Sequence, residues 1–184
     1  MGDSTMAATQ YIAFLRAINV GGRIVKMTEL KKIFEAAGLA DVTTFIASGN
    51  VIFTSAKPAA KLQPHLEAAL QKTLGYAVTT MVRTVGEVAA VAEHQPFPPG
   101  AVGDAAMYVG FMQTEPSTAA AKKALSLQTD VDELRVHGRE IYWLARQNIA
   151  DSTISMAALE KALQTPATFR NINTVRRLAT KLGI

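Results

Sequence analysis

The chain has 184 residues, of which 49% are hydrophobic and 18% are charged, and it contains no cysteine. A chain of this length and composition forms a packed core, which excludes extended disorder over most of it. The absence of cysteine excludes disulfides, cysteine nucleophiles and zinc–cysteine sites. The net charge of +4 is compatible with an anionic partner, although ordinary solubility is the simpler explanation of it.

The chain shows no targeting or metal-binding pattern. No apolar run approaches the ~20 residues that span a bilayer, and residues 1–9 lack the basic start and apolar stretch of a signal peptide. We therefore predict a flexible tail over residues 1–9 and a cytoplasmic protein without membrane contact. His65, His94 and His137 are widely separated and lack ligand spacing, so no metal and no cofactor is predicted.

The first half begins with a strand and a helix. Residues 10–17 (QYIAFLRA) are apolar on both alternating faces, which predicts a strand buried on both sides. Such a sheet has no open wet face, so a second sheet or further helices must cover it. The segment TELKKIFEAAG predicts a helix with Thr28 as its N-cap, ending at Gly38.

A hairpin, a helix and a strand complete this half. The β-rich runs TTFIA and VIFTS flank the turn residues 48–50 and predict a hairpin. Leucines at helical spacing over residues 62–74 predict a helix, and Pro64 is expected near its first turn because a later proline would break it. Residues 77–83 alternate as a strand. The β-α-β-β-α-β order over residues 10–83 is that of a ferredoxin-like unit.

The second half, residues 84–184, repeats this order. Residues 84–87 (TVGE) form a capping-box pattern that starts a helix, and a later helix is predicted to begin at Pro116. The strand AAMYVGFMQ lies between these two helices. The hairpin ELRVHGREIYWLA, in which Trp143 is a predicted core residue, and two more helices follow them. Recurrence in a fixed order suggests duplication. We predict an α+β fold of two ferredoxin-like halves, with helices packed on antiparallel sheets and an extra terminal helix on the second.

Four polar segments interrupt this apolar framework. In the first, residues 16–26, glycine backbone and a helix N-terminus suit an anion, and a flexible loop is the alternative. The second, residues 48–50, offers a hydroxyl and an amide, or is simply a tight turn. The third, residues 151–153, is most simply a loop with capping residues. The fourth, residues 169–174, places Arg170 before a basic helix that Asn171 or Asn173 can cap.

The candidate ligand-binding residues come from the first, second and fourth segments. They are Arg16, Asn19, Gly21, Gly22, Lys26, Ser48, Gly49, Asn50, Arg170, Asn171 and Asn173. Ser48 is excluded as a nucleophile, because no nucleophile-elbow pattern and no nearby histidine accompany it. The strand GNVIFTS supplies only Phe53 as a stacking aromatic, which is weak support for RNA recognition by the sheet.

Four segments together resemble a known bacterial family. YIAFLRAINVGG, KMTELKKIFEAAG, TTFIASGNVIFTS and LEKALQTPATFRNINTVRRL, in this order, are similar to the family catalogued as domain of unknown function 1697, from about residue 11 to residue 182. The resemblance implies a duplicated α+β fold, and no established reaction, substrate or cofactor. The family usually has Gly at position 17, Lys at 154, Thr at 169 and Trp at 172. This chain has Ala17, Ile154, Phe169 and Ile172 there.

The function predicted from these observations is binding of an anionic ligand in a cleft between the halves. The ligand is a phosphate-bearing metabolite or a nucleic-acid backbone. One alternative is a small metal-independent enzyme in which Arg16 and Arg170 hold an oxyanion. The other is a structural or interaction protein whose polar segments serve only as turns and caps. The sequence assigns neither a catalytic residue nor an oligomeric state.

Overall fold

A computed structural model describes residues 7–46 and 49–184. The chain separates into two compact units that divide between Val88 and Ala89. In chain order, the first elements are β1 (Thr9–Leu15), α1 (Met27–Ala36), β2 (Ala40–Phe45), β3 (Asn50–Ser55), α2 (Ala59–Leu74), β4 (Thr80–Thr84) and α3 (Val85–Glu93). The remaining elements are β5 (Ala106–Met112), α4 (Thr118–Leu125), β6 (Asp132–His137), β7 (Glu140–Ala145), a 3₁₀ turn (Ile149–Asp151), α5 (Met156–Leu163), β8 (Ala167–Asn171) and α6 (Ile172–Leu182).

Each unit is built on one four-stranded antiparallel sheet. The strand orders are β2-β3-β1-β4 and β6-β7-β5-β8, so both sheets have the same arrangement. With a helix after the first and third strand of each sheet, both are ferredoxin-like. The predicted α+β class with two similar halves is confirmed. The last strand of the second half, β8, is present and is followed directly by α6.

Helices α1 and α2 cover one face of the first sheet. Leu30 and Phe34 from α1 and Leu62 and Leu66 from α2 are fully buried in one cluster with Phe53 of β3. Residues 11–15 of β1 are all buried. Because alternate residues of a strand face opposite sides of the sheet, β1 is buried on both faces, as its sequence predicted.

Helices α4 and α5 cover one face of the second sheet, and Trp143 lies at the centre of this core. The indole is fully buried, and its Nε1 donates to Oδ1 of the buried Asp132 at 2.7 Å. Ser152 Oγ donates to the other carboxylate oxygen of Asp132 at 2.8 Å. Part of the third polar segment therefore satisfies a buried carboxylate, which would be costly to leave without partners.

The two halves correspond residue by residue in the pairing of their central strands, β1 and β5. Strands β1 (TQYIAFL) and β5 (AMYVGFM) have the same register on their partners, with Tyr11 opposite Phe53 and Tyr108 opposite Trp143. On the other side of these two strands, where β1 pairs with β4 and β5 pairs with β8, Ile12 lies opposite Arg83 and Val109 lies opposite Arg170. The duplication is thus clearer in the paired strands than in the linear sequence.

Two predicted helix starts are wrong, and one is confirmed. Helix α1 begins one residue before Thr28, with Lys26 at the N-cap position and no side-chain cap. Helix α4 begins after Pro116, where Ser117 Oγ accepts a hydrogen bond from the Ala120 amide at 3.1 Å. The capping box of α3 is present, because Thr84 N donates to Glu87 Oε2 at 2.8 Å and Glu87 N donates to Thr84 Oγ1 at 3.1 Å.

The expected position of Pro64 is also wrong. Helix α2 begins at Ala59, so the proline lies in the second turn rather than the first. Proline has no amide proton to donate to the carbonyl of Ala60. Both residues are exposed, so water can solvate this carbonyl and the helix continues through the proline.

None of the helices in the described part of the chain has the length and apolarity to cross a lipid bilayer.

Candidate functional site

The first and second polar segments meet at one end of the first sheet. Leu15 N donates to Gly49 O at 2.8 Å, and Arg16 N donates to Thr79 O at 2.9 Å, where the chain enters β4. A Cβ atom on Gly49 would lie 2.7 Å from Ile18 Cγ2, so only glycine lets the turn approach the loop this closely. The sequence predicted both segments as candidate sites, and the structure brings them together.

The loop between β1 and α1, residues 16–26, has its own internal structure, and we call it the basic loop. Asn19 Oδ1 accepts a hydrogen bond from Val25 N at 2.8 Å and so ties the two ends of the loop. Within it, a turn over residues 20–23 is closed by a backbone hydrogen bond of 3.2 Å. Gly21 and Gly22 occupy its centre with φ of 63° and 80°, the pattern of a type I′ turn. The glycines therefore set the backbone conformation.

Three cations belong to the basic loop. Arg16 is half-buried directly after β1, and Lys26 is exposed where α1 begins. The Arg23 guanidinium lies 4.2 Å from the centroid of the Tyr76 ring, which is cation–π distance. Within the described residues, no carboxylate lies within 4.0 Å of Arg23 or Lys26. Arg23 and Lys26 therefore present positive charge that no carboxylate of the described residues neutralises at close range.

The turn before β3 is only partly described. Ser48 lies outside the described residues. Asn50 is fully buried and its Nδ2 donates to Phe45 O at 3.1 Å, so its amide holds the hairpin together. Ile46 has φ of 48° and is 40% exposed. A β-branched residue in the left-handed region is strained, and such strain is commonest near functional sites.

The fourth polar segment belongs to the second unit. Arg170 is buried in β8, and its Nη1 donates to Thr168 Oγ1 and to Phe169 O, both at 2.9 Å. Burial lowers the pKa of Arg170 to about 10. Asn171 Oδ1 accepts from Asn173 N at 2.9 Å, so Asn171 is the cap of α6. Ligand contacts by these three residues stay a prediction.

Sequence reasoning missed a second buried arginine. Arg83 of β4 is 1% exposed, and its Nη1 donates to Val82 O at 3.0 Å, as Arg170 does to Phe169 O. The residue after each arginine caps the next helix. Aligning TMVRTVGEV with ATFRNINTV pairs the two arginines, and this internal similarity was the signal available in the sequence.

Two histidines that are far apart in the chain are neighbours in the second unit. The rings of His94 and His137 stack with centroids 4.5 Å apart, and the Tyr142 ring lies 5.0 Å from His94. Burial and the charge of His137 lower the pKa of His94, against a smaller opposing effect of Glu140. Burial and Glu140 raise the pKa of Tyr142. Within residues 7–46 and 49–184, no group of three His, Asp or Glu side chains could hold a metal ion.

Packing accounts for three of the four departures from the family pattern, and the backbone geometry at Ala17 does not favour the residue found there. Ile154 is 6% exposed within the second core, and Ile172 is 3% exposed at the start of α6. Phe169 packs edge-to-face on Trp143 with ring centroids 6.0 Å apart. Ala17 is exposed and has φ of 55°, a conformation that favours glycine.

Comparison with known proteins identifies the family. No relative was found among curated proteins. The solved structure of a conserved bacterial protein from Streptococcus pneumoniae is similar, with a TM-score of 0.76 and 24% identity over 97% of this chain and 100% of that chain. At this identity the likeness shows the fold. The family model described as protein of unknown function (DUF1697) matches residues 8–142. The chain therefore belongs to the DUF1697 family of proteins of unknown function.

Proposed function

We propose that the first unit binds a phosphate-bearing metabolite at the basic loop. The observation that carries this proposal is the gathering of Arg16, Arg23 and Lys26 on one folded loop, beside the turn of Gly49 and Asn50. Phosphate oxygens are strong acceptors, and guanidinium and ammonium groups are their usual partners in proteins.

The backbone of the basic loop supports the same ligand. Helix α1 has no side-chain cap, so amides of its first turn remain available to an anion beside Lys26. The loop is folded before any ligand arrives, because Asn19 and the glycine turn fix its backbone. Stacking on Tyr76 likewise holds the Arg23 side chain, which reduces the entropy lost on binding.

Exposed apolar side chains favour a metabolite over a nucleic-acid backbone. Val20 is 55% exposed and Ile24 is 84% exposed within the same loop. These side chains would contact the part of the ligand that carries no phosphate. Proteins that bind single strands without sequence preference add aromatic stacking platforms to their cations, and Val20 and Ile24 are aliphatic.

The test is a titration with pyrophosphate and, separately, with a short mixed-sequence oligonucleotide. We expect saturable pyrophosphate binding that weakens about tenfold in Arg23→Gln and in Lys26→Gln, since each loses a charge-assisted contact. Lys61→Gln is the matched control, because it removes one exposed charge near the start of α2, at the opposite end of the first sheet.

The two arms separate the possible ligands. Oligonucleotide affinity that falls steeply with salt and exceeds pyrophosphate affinity would replace the metabolite with a nucleic-acid backbone. Pyrophosphate binding of equal strength in Arg23→Gln, Lys26→Gln and Lys61→Gln would reject the basic loop as the site. If neither ligand binds, the proposal is rejected, and the residues of the basic loop serve only as turns and caps.

A further inference from the structure

The second unit contains a cavity of about 240 Å³ between the segment that follows α3 and helix α6. Its apolar wall includes the buried Phe97 and Met107 and the half-buried Val102. Its polar lining includes His94 and Arg176. The lining residues contain no carboxylate. A cavity with an apolar wall and few polar groups is the usual form of a small-molecule site.

The wall of this cavity is fixed by its own local structure. Pro99 and Gly100 form the centre of a turn closed by Ala101 N donating to Pro98 O at 3.0 Å. Proline followed by a glycine with φ of 84° is the pattern of a type II turn. The Arg135 guanidinium lies 5.3 Å from the centroid of the Phe97 ring and packs on it. A preformed wall lowers the entropic cost of binding.

Arg176 carries the positive charge of this cavity. Its Nε lies 3.5 Å from Ala92 O, at the outer limit of hydrogen-bond distance. Nη1 and Nη2 have no partner within the described residues. His94 is uncharged at neutral pH, because burial and His137 lower its pKa below the ordinary 6.5. A guanidinium at an apolar cavity matches a carboxylate on an apolar body.

We propose that this cavity binds a small organic carboxylate, with its apolar body against Phe97, Val102 and Met107 and its carboxylate on Arg176. The site lies in the second unit and shares no residue with the basic loop. It therefore does not depend on the proposed phosphate site.

The test uses benzoate and isovalerate as probes, followed by backbone amide chemical shifts of the full chain. We expect saturable shifts over residues 94–102 and at the start of α6. The neutral analogue benzamide should bind about tenfold more weakly or worse, since it cannot form the charge-assisted pair. No saturable shift with either carboxylate at millimolar concentration overturns the proposal, as does equal binding of benzamide.

Variants locate the site within the second unit. Arg176→Gln should weaken benzoate binding about tenfold, and Val102→Phe should abolish it by filling the cavity. Lys181→Gln removes an exposed charge from the same helix outside the cavity and should bind within twofold of the parent. A thermal melt of each variant checks that it is folded. Unchanged affinity in folded Arg176→Gln or folded Val102→Phe overturns the proposal.

Discussion

Two equivalent cross-strand pairs in the sheets of the two units differ in the sizes of their side chains. Ala13 lies opposite Val82 in the first sheet, and Gly110 lies opposite Phe169 in the second. A Cβ on Gly110 would lie 2.6 Å from Phe169 Cζ and 2.8 Å from Ile141 Cγ2. The large ring therefore requires glycine opposite it, whereas valine leaves room for alanine.

This exchange predicts strong coupling between positions 110 and 169. Gly110→Ala alone should lower the free energy of unfolding by about 1–3 kcal/mol through overpacking. Adding Phe169→Val recreates the pair of the first unit, so the double variant should lose at least about 1 kcal/mol less than the sum of the single variants. Urea unfolding of all four proteins measures the cycle. Additive losses would show that the ring moves freely away from the new methyl group.

Ala17 is a residue whose backbone conformation does not suit its side chain. A non-glycine residue in the left-handed region costs about 1–2 kcal/mol, and glycine adds flexibility to the unfolded chain that offsets part of the gain. Ala17→Gly should therefore raise the free energy of unfolding by up to about 1 kcal/mol. Ala68→Gly, in the exposed interior of α2, is the control and should lower it by about 1 kcal/mol. The urea midpoint of each variant is compared with that of the parent. Shifts in the same direction for Ala17→Gly and Ala68→Gly would contradict the strain at position 17.

At the scale of elements, the corner from β4 into α3 repeats in the corner from β8 into α6. In both, a buried arginine is the next-to-last residue of the strand, and the last strand residue caps the helix through a side-chain oxygen. Because strand and helix join without a loop, the cap fixes the direction in which the helix leaves the sheet. We infer that the caps at Thr84 and Asn171 make equivalent contributions to their corners.

Removing either cap should have a similar cost. Thr84→Ala and Asn171→Ala should each lower the free energy of unfolding by about 1 kcal/mol, since an amide of the first helical turn loses its acceptor. Thr84→Ser and Asn171→Asp keep an oxygen at the same place and should retain most of the stability. Thermal and urea unfolding measure all four. Equal losses in the alanine variants and in the matched oxygen-bearing variants would show that the caps do not act through these hydrogen bonds.

The order of elements could be predicted from the sequence, and several of their ends could not. A run that is apolar on both faces identifies β1, β-rich runs beside turn residues identify the hairpins, and helical spacing of apolar residues identifies helices. The start of α4 was misplaced because Pro116 and Ser117 both suit a helix N-terminus, and only the backbone geometry selects the serine. Pro64 was misplaced because the rule against interior proline fails where the freed carbonyl meets water.

At the scale of the whole molecule, long-range pairing accounts for what the sequence did not predict of the candidate sites. The basic loop and its glycine turn could be predicted, because their residue types are local signals for a turn. Their meeting at Gly49 depends on the register of β1 with β3. The stacking of His94 on His137 likewise joins a segment after α3 to the end of β6, and no spacing in the chain encodes it.

The histidine pair predicts how the stability of the second unit changes with pH. Because folding lowers the pKa of His94 below 6.5, the unfolded chain takes up a proton first as the pH falls. The corresponding stability is complete above about pH 6.5 and is lost as the pH falls toward the folded pKa. The charged and titratable groups that face His94 or share its cavity are His137, Glu140, Tyr142 and Arg176.

We therefore expect His94→Gln to lose less stability than the parent protein between pH 7 and pH 5. Trp143 is the only tryptophan and lies in the core of the second unit, so its fluorescence during urea unfolding follows this unit. His65→Gln is the control, because His65 contacts Ala37 O in the first unit and should leave the slope of Trp143 unfolding with pH unchanged. A slope in His94→Gln equal to that of the parent would mean that burial and the charge of His137 do not hold His94 in its neutral form.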